Sequence, residues 1–200
     1  MAFLRSATSQ DTAPAIRGGS VELRTPRFGD YAEWSELRAT SREFLEPWEP
    51  VWPSDDLEKA SFRRRIRRYA QEVREDLAYP FFVFRSSDGA LVGGLTLGHV
   101  RRGVTQSATL GYWIGQPYAG QGIMSAAVQA TLGFAFDHLR LHRIEAACLP
   151  QNAASIRLLE KIGFQREGFA RRYLCINGIW QDHVLYGIIE DDPRPGALTR

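Results

Sequence analysis

The stretch "GYWIGQPYAGQGIM", residues 111 to 124, constrains this chain more than any other. It begins as an alternating apolar strand, breaks at a turn rich in Gly, Pro and Gln, and ends by opening an apolar helical run. Gly120 and Gly122 stand where the strand hands over to the helix, and without a Cβ they let main-chain amides approach a ligand closely. A helix starting at about Ile123 aims its unpaired amides and positive dipole end into the same space. The combination predicts an anion site suited to a pyrophosphate. A bland strand-to-helix turn is the competing account of this stretch taken alone. The dinucleotide fingerprint lacks its third Gly, and no Gly-Lys-Ser/Thr follows, so neither the Rossmann nor the P-loop pattern applies.

The elements around this turn alternate between strand and helix periods. "VELRTPR" reads as a strand, and "GDYAEWSELRAT" as a helix with Asp30 as its cap. Leu57, Phe62, Ile66, Tyr69, Val73 and Leu77 fall on one stripe of a second helix. "FFVFRSSDGALVGGLTLGHV" is a hairpin turning at Asp88-Gly89, and "SATLGYWIG" supplies the next strand. A helix from Ile123 to about Leu139, the strand "RIEAACL", and the helix "NAASIRLLEKIG" with Asn152 or Ser155 near its start and Gly163 at its end come next. "FARRYLCI", the turn Asn177-Gly178 and "WQDHVLYGII" close the pattern. The order predicts an α/β chain with one mixed sheet and helices on both faces. Residues 1–19 and 191–200 lack a sustained period and are expected to be flexible tails around a single domain spanning 20–190.

Composition narrows the function classes. Twenty-five Lys plus Arg against 23 Asp plus Glu leave a net charge of +2, too little for a general nucleic-acid or membrane surface. Two cysteines and four histidines, scattered without ligand spacing, indicate neither a disulfide framework nor a metal site. No apolar run approaches bilayer length, and the expected compartment is the cytoplasm.

The pattern "GYWIGQPYAGQGIMSAAVQATLGFAF" followed by "LHRIEAACLPQNAASIRLLEKIGFQREG" resembles the GNAT family of acetyl-CoA-dependent N-acetyltransferases. Its acyl-CoA loop reads Gln/Arg-x-x-Gly-x-Gly/Ala; Gly120-Gln121-Gly122 fill the last three places, while Pro117 replaces the first and Gln116 stands one position early. This departure removes a side-chain contact and keeps the main-chain cradle. "SREFLEPWEP" and "YLCINGIWQDHVLYGI" are similar to the ribosomal-protein alanine N-acetyltransferases of the RimJ and RimL branch, RimJ more closely. Together the matches touch most of residues 21 to 189.

The resemblance implies a single GNAT domain whose central, mostly antiparallel sheet has two splayed strands. It implies direct acetyl transfer from acetyl-CoA, with Trp113 and Ile114 offering main-chain groups to the pantetheine arm and the acetyl oxygen. Tyr118, Ala119, Gly120, Gln121, Gly122, Ile123 and Met124 would form the cofactor loop. Asn152 matches the residue that touches the pantetheine arm, and Ser155 a position from which a hydroxyl reaches the CoA sulfur as general acid; helix capping suits both types as well.

Many members carry a Glu two residues before the Gly-Tyr pair, where this chain has Thr109. Glu145 on the adjacent strand is the remaining carboxylate candidate, with a solvated ion pair as its other reading. His183 suits a base by residue type, and Asp182 a structural hydrogen bond. An α-amine has a pKa of about 8 and a lysine about 10.4, a gap of roughly 3.4 kcal/mol, so water-relayed deprotonation suffices for a protein N-terminus. Glu43, Phe44, Leu45, Trp48 and Asp182 are the expected acceptor-binding residues, and the expected acceptor is the N-terminal Ala of a small-subunit ribosomal protein. Arg63, Arg64, Arg65, Arg67 and Arg68 form a basic face that either is solvated or docks on ribosomal RNA phosphates. Small-amine or antibiotic acetylation, and a non-catalytic CoA-binding sensor, remain as alternatives.

Overall fold

The computed structural model describes residues 14–193. Eight strands form one sheet in the order β1-β2-β3-β4-β5-β6-β8-β7, from β1 (Ile16–Gly18), β2 (Val21–Arg24), β3 (Tyr79–Arg85), β4 (Leu91–Arg101) and β5 (Ser107–Ile114) to β6 (Arg143–Cys148), β7 (Gln165–Ile176) and β8 (Ile179–Ile189). Every neighbouring pair is antiparallel except β5 and β6. Five α-helices accompany it: α1 (Tyr31–Thr40), α2 (Arg42–Leu45), α3 (Lys59–Arg74), α4 (Ile123–Gly133) and α5 (Ala153–Ile162). This is the expected mixed, mostly antiparallel sheet.

Strand periodicity divides the core between the two faces. Val21, Leu23, Phe81, Val83, Ala108, Leu110, Ile144, Ala146, Val184 and Tyr186 pack with α4 and α5. Phe82 and Leu91 turn the other way and meet Trp34 and Leu37 of α1 and Phe62 and Ile66 of α3. Alternate residues of a strand point to opposite faces, so a run such as Phe81-Phe82-Val83-Phe84 is apolar throughout because both faces are covered.

Several expectations are corrected at the element ends. Ile16–Gly18, within the stretch read as a tail, is paired with β2 through Ile16↔Leu23 and Gly18↔Val21; three residues carry too little period to be read as a strand. Residues 1–13 and 194–200 lie outside the described residues. The first full strand stops at Arg24, before Pro26, which has no N–H for a ladder. Asp30 makes no side-chain cap bond to α1. It is gripped by Arg24 at 2.7 and 2.9 Å and accepts the Arg27 amide at 2.7 Å. Leu57 and Leu77 lie outside α3, and Leu77 is exposed. The helix from Ile123 continues past Gly133 as a π turn over Phe134–His138.

The end of β5 is bolted to α1. A Cβ on Gly115 would sit 2.4 Å from Leu37 Cδ1 and 2.9 Å from its Cγ, and the Gln116 amide donates to the Ser41 hydroxyl at 2.9 Å. Gly115→Ala is therefore expected to lower stability by about 1–3 kcal/mol through overpacking, read as a reduced denaturation midpoint. An unchanged midpoint would show that Leu37 yields freely.

Candidate active site

The pairing of β5 with β6 runs Ser107↔Arg143, Ala108↔Ile144, Thr109↔Glu145 and ends there. Both strands continue, β5 to Ile114 and β6 to Cys148. They diverge into a V whose β5 arm remains hydrogen-bonded to β4 as far as Gly93↔Ile114. Alternate peptide groups between Gly111 and Ile114 thus face the opening without a sheet partner. Trp113 and Ile114 stand on this arm.

The turn beyond Ile114 presents the cradle. Gly120 and Gly122 have φ of +74° and +76°, and a Cβ at either would meet nothing within 4 Å. Their requirement for glycine is conformational, and the space before them is open. Gly122 is the N-cap of α4 and offers no side-chain cap bond, so the first amides of the helix keep their donors for an anion. Ile123 and Met124 are buried: their side chains belong to the core, and only their main chain faces the cradle. Gln121 bonds back to the Pro117 carbonyl at 2.9 Å. Tyr118 packs between the two apolar clusters with the Arg85 guanidinium 5.1 Å from its ring centroid.

At the mouth of the V, α5 brings two expected residues together with two that the sequence reading passed over. Asn152 Oδ1 accepts the Ser155 amide at 3.0 Å, and a cap that uses only the oxygen leaves the Nδ2 hydrogens available to a ligand. The Ser155 hydroxyl lies 2.6 Å from the Tyr112 hydroxyl. Burial pushes the Tyr112 phenol up to about 12, so it is a neutral hydroxyl throughout the physiological range. Burial also raises the Cys148 thiol, while a hydrogen bond with Ser155 acts the other way. Tyr112 and Ser155 are far apart in sequence. The legible signal was parity: Ala108, Leu110 and Tyr112 share one strand face, the face that α5 covers.

Other candidates stand elsewhere. Glu145, at the apex of the V beside Thr109, is held by Arg101 at 2.6 Å and Arg143 at 3.1 Å; as a catalytic carboxylate it is already committed to two cations. Leu45 is 3% exposed and packs inward, so it is no wall of an acceptor groove. Trp48 is 36% exposed and Phe44 half-buried, while Glu43 is exposed. Glu46 is bound by Arg42 at 2.6 Å. Glu49 is bound by Arg38 through two bonds of 2.7 Å and accepts the Trp52 indole N–H at 2.8 Å. The Arg38 guanidinium in turn lies over the rings of Trp52 and Trp113, at 3.9 and 5.0 Å. This network, unread in the sequence, ties the loop after α2 to the cofactor strand. Asp182 accepts the Arg172 amide at 2.8 Å, a bond within the β7–β8 hairpin.

A cavity of about 630 Å³ outside the V is lined by Arg17, Glu22, Arg24, Asp30 and Arg85 among others. Arg17–Glu22, Arg24–Asp30 and Arg85–Asp88 are ion pairs, so it offers little uncompensated charge. The V, with its open strand edge, glycine cradle and hydroxyl pair, is the better-built site. No group of metal-ligating side chains occurs among the described residues.

A site of this construction on a splayed sheet defines an acyl-CoA-dependent acyltransferase, and the acetyltransferase (GNAT) domain profile matches residues 20–165. The chain belongs to the GNAT family of acetyltransferases and is an N-acetyltransferase that draws on acetyl-CoA. The probable N-acetyltransferase YjcK of Bacillus subtilis (strain 168) is 36% identical over 177 residues, covering 88% of this chain and 98% of that protein. The ribosomal protein uS5-alanine N-acetyltransferase of Escherichia coli (strain K12) is 34% identical over 189 residues, covering 94% and 97%. The structure of Mycobacterium smegmatis RimJ in complex with CoA-disulfide matches with a TM-score of 0.83 at 36% identity, over 91% of this chain and 88% of that one.

Proposed function

We propose that the protein acetylates the N-terminal α-amine of another protein, an alanine at the start of a small-subunit ribosomal protein, by direct transfer from acetyl-CoA. The observation that carries this reading is that among the described residues no uncommitted carboxylate stands beside the V: Thr109 occupies the usual place, and Glu145 next to it is bound by two arginines. An acceptor that is already partly neutral near pH 8 tolerates such a site far better than a lysine does. The 34% identity to the uS5-alanine enzyme over nearly its whole length supports the substrate class.

In the reaction, the cradle of Gly120–Met124 holds the pyrophosphate, and the free edge of β5 orients the pantetheine arm and polarises the acetyl carbonyl. The amine lone pair forms the C–N bond as the C–S bond breaks, and the leaving thiolate takes a proton from Ser155, which Tyr112 backs at hydrogen-bond distance. Glu43, exposed and without an ion-pair partner among the described residues, can attract the cationic acceptor past Phe44 and Trp48. On the basic helix, Arg64, Arg65 and Arg68 are paired with Asp55, Asp56 and Glu72, which leaves Arg63 and Arg67 as the candidates for any ribosomal RNA contact. Among the described residues no helix is long and apolar enough to cross a membrane, and we place the reaction in the cytoplasm, where ribosomal proteins are made.

Turnover is to be measured with an Ala-starting peptide that also contains lysines, with a polyamine panel, and without acceptor. The expected product carries acetyl on its first nitrogen, located by fragmentation in mass spectrometry. Acetyl mainly on lysine would overturn the α-amine reading, turnover of polyamines alone would make this a small-amine enzyme, and CoA binding without turnover would make it a sensor.

A further inference from the structure

With Glu145 committed to two arginines, no carboxylate beside the V is free among the described residues, and the strand next to β6 carries a ring nitrogen base, His183. The β8 register pairs Val184 with Cys148, the last residue of β6, so His183 lies just beyond the open end of the V, one strand away at about 4.8 Å spacing. Val184, Tyr186 and Ile188 belong to the core beneath α4 and α5; His183 alternates to the opposite face, away from the Tyr112–Ser155 pair. The same hairpin is tied to the loop after α2, because the Asn177 amide donates to the Glu49 carbonyl at 2.8 Å.

His183 is only 2% exposed, and its Nδ1 lies 2.9 Å from the Gln181 carbonyl oxygen. A carbonyl only accepts, so Nδ1 carries the hydrogen and Nε2 of the neutral ring keeps its lone pair. Among the described residues no hydrogen-bond partner takes this lone pair: Tyr173 of β7 meets the ring edge-on at 5.9 Å, and Asp182 on its own strand accepts the Arg172 amide instead.

We propose that His183 is the catalytic proton acceptor for the incoming α-ammonium. This rests on the α-amine reading above. The acceptor enters as an ammonium ion and gives one proton to Nε2, and the freed pair forms the amide bond as the thioester C–S bond breaks. The Ser155 hydroxyl gives its proton to the CoA sulfur and is replenished, through solvent, by the second proton leaving the nitrogen, and the imidazolium returns its proton to solvent. The balance is amide, CoA thiol and one released proton.

Two isosteric variants separate catalysis from support. In His183→Asn the side-chain nitrogen can take the place of Nδ1 and keep the bond to Gln181, with nothing at Nε2; His183→Gln does the reverse. Both are expected to lower kcat/KM for an Ala-starting peptide at pH 7 by about tenfold, the excess of ammonium over free amine at a pKa of about 8, with the KM for acetyl-CoA unchanged. The deficit should shrink toward pH 9, where an amine of pKa about 8 arrives already neutral. Wild-type rates in His183→Asn, a deficit constant across pH, or loss of acetyl-CoA binding in both variants would overturn the assignment and leave His183 a structural residue. A wild-type protein that transfers nothing to the peptide would instead remove the α-amine reading itself, and this assignment with it.

Discussion

Ser155→Ala is expected to lower kcat by about 10²- to 10⁴-fold while changing the KM for acetyl-CoA little. The structure makes this a clean test because the α5 cap uses the Ser155 main-chain amide, which bonds Asn152 Oδ1 and survives the substitution. Only the hydroxyl is lost, and with it the proton donor proposed for the leaving sulfur. Tyr112, whose phenol is held neutral by burial, stands 2.6 Å from that hydroxyl. Tyr112→Phe should therefore produce a smaller loss in the same parameter, and the double variant should cost less than the product of the two, since the hydroxyls act as one chain. Steady-state kinetics on the three variants decide it. A rise in KM with kcat intact would make Ser155 a binding contact, and full multiplicativity would dissolve the chain.

Gly122→Val is expected to weaken acetyl-CoA binding by at least about tenfold, equivalent to 1.4 kcal/mol or more, with the fold retained. The reason lies in what surrounds the position. A side chain there meets no protein atom within 4 Å, so packing raises no objection, and the remaining cost is the left-handed backbone at φ +76°. That strain is on the order of 1–3 kcal/mol for a non-glycine residue, tolerable against a typical stability of about 5–15 kcal/mol. The valine methyls would project into the open space before the α4 amides, which the proposed cradle reserves for the pyrophosphate. Calorimetric titration with acetyl-CoA, alongside circular dichroism, tests both halves. Undiminished affinity in a folded variant would remove the anion cradle from this turn.

Much of this site follows from local chemistry. Gly120 and Gly122 make a left-handed turn available at little cost, because the steric rule against positive φ acts within a residue and spares glycine. Asn152 and Gly163 bracket α5 as expected, the first by its side-chain oxygen and the second at φ +109°. The Asn177-Gly178 turn, both residues at positive φ, and the strand faces follow from equally short-range rules. Asp30 shows where those rules lose: its residue type suits a helix cap, but Arg24 from the neighbouring strand offered a charge-assisted pair that a cap bond could not match.

What the chain's order of residues determined by itself is therefore the longer elements, their inward faces and the place of the glycine turn, since each depends on neighbours within a few positions; the short β1 and α2 were not legible. Only the tertiary structure decided where β5 and β6 part. The last paired residues are Thr109 and Glu145, a choice made by the packing of whole strands and helices. It also decided the fate of the charged candidates: Glu145 meets an arginine 44 residues away, and Glu49, whose residue type suits attracting an ammonium, instead anchors Arg38 against two tryptophans. A carboxylate's chemistry is set by the charges within a few ångströms of it. Those neighbours come from distant parts of the chain, so residue type marks the candidates and folding alone selects among them.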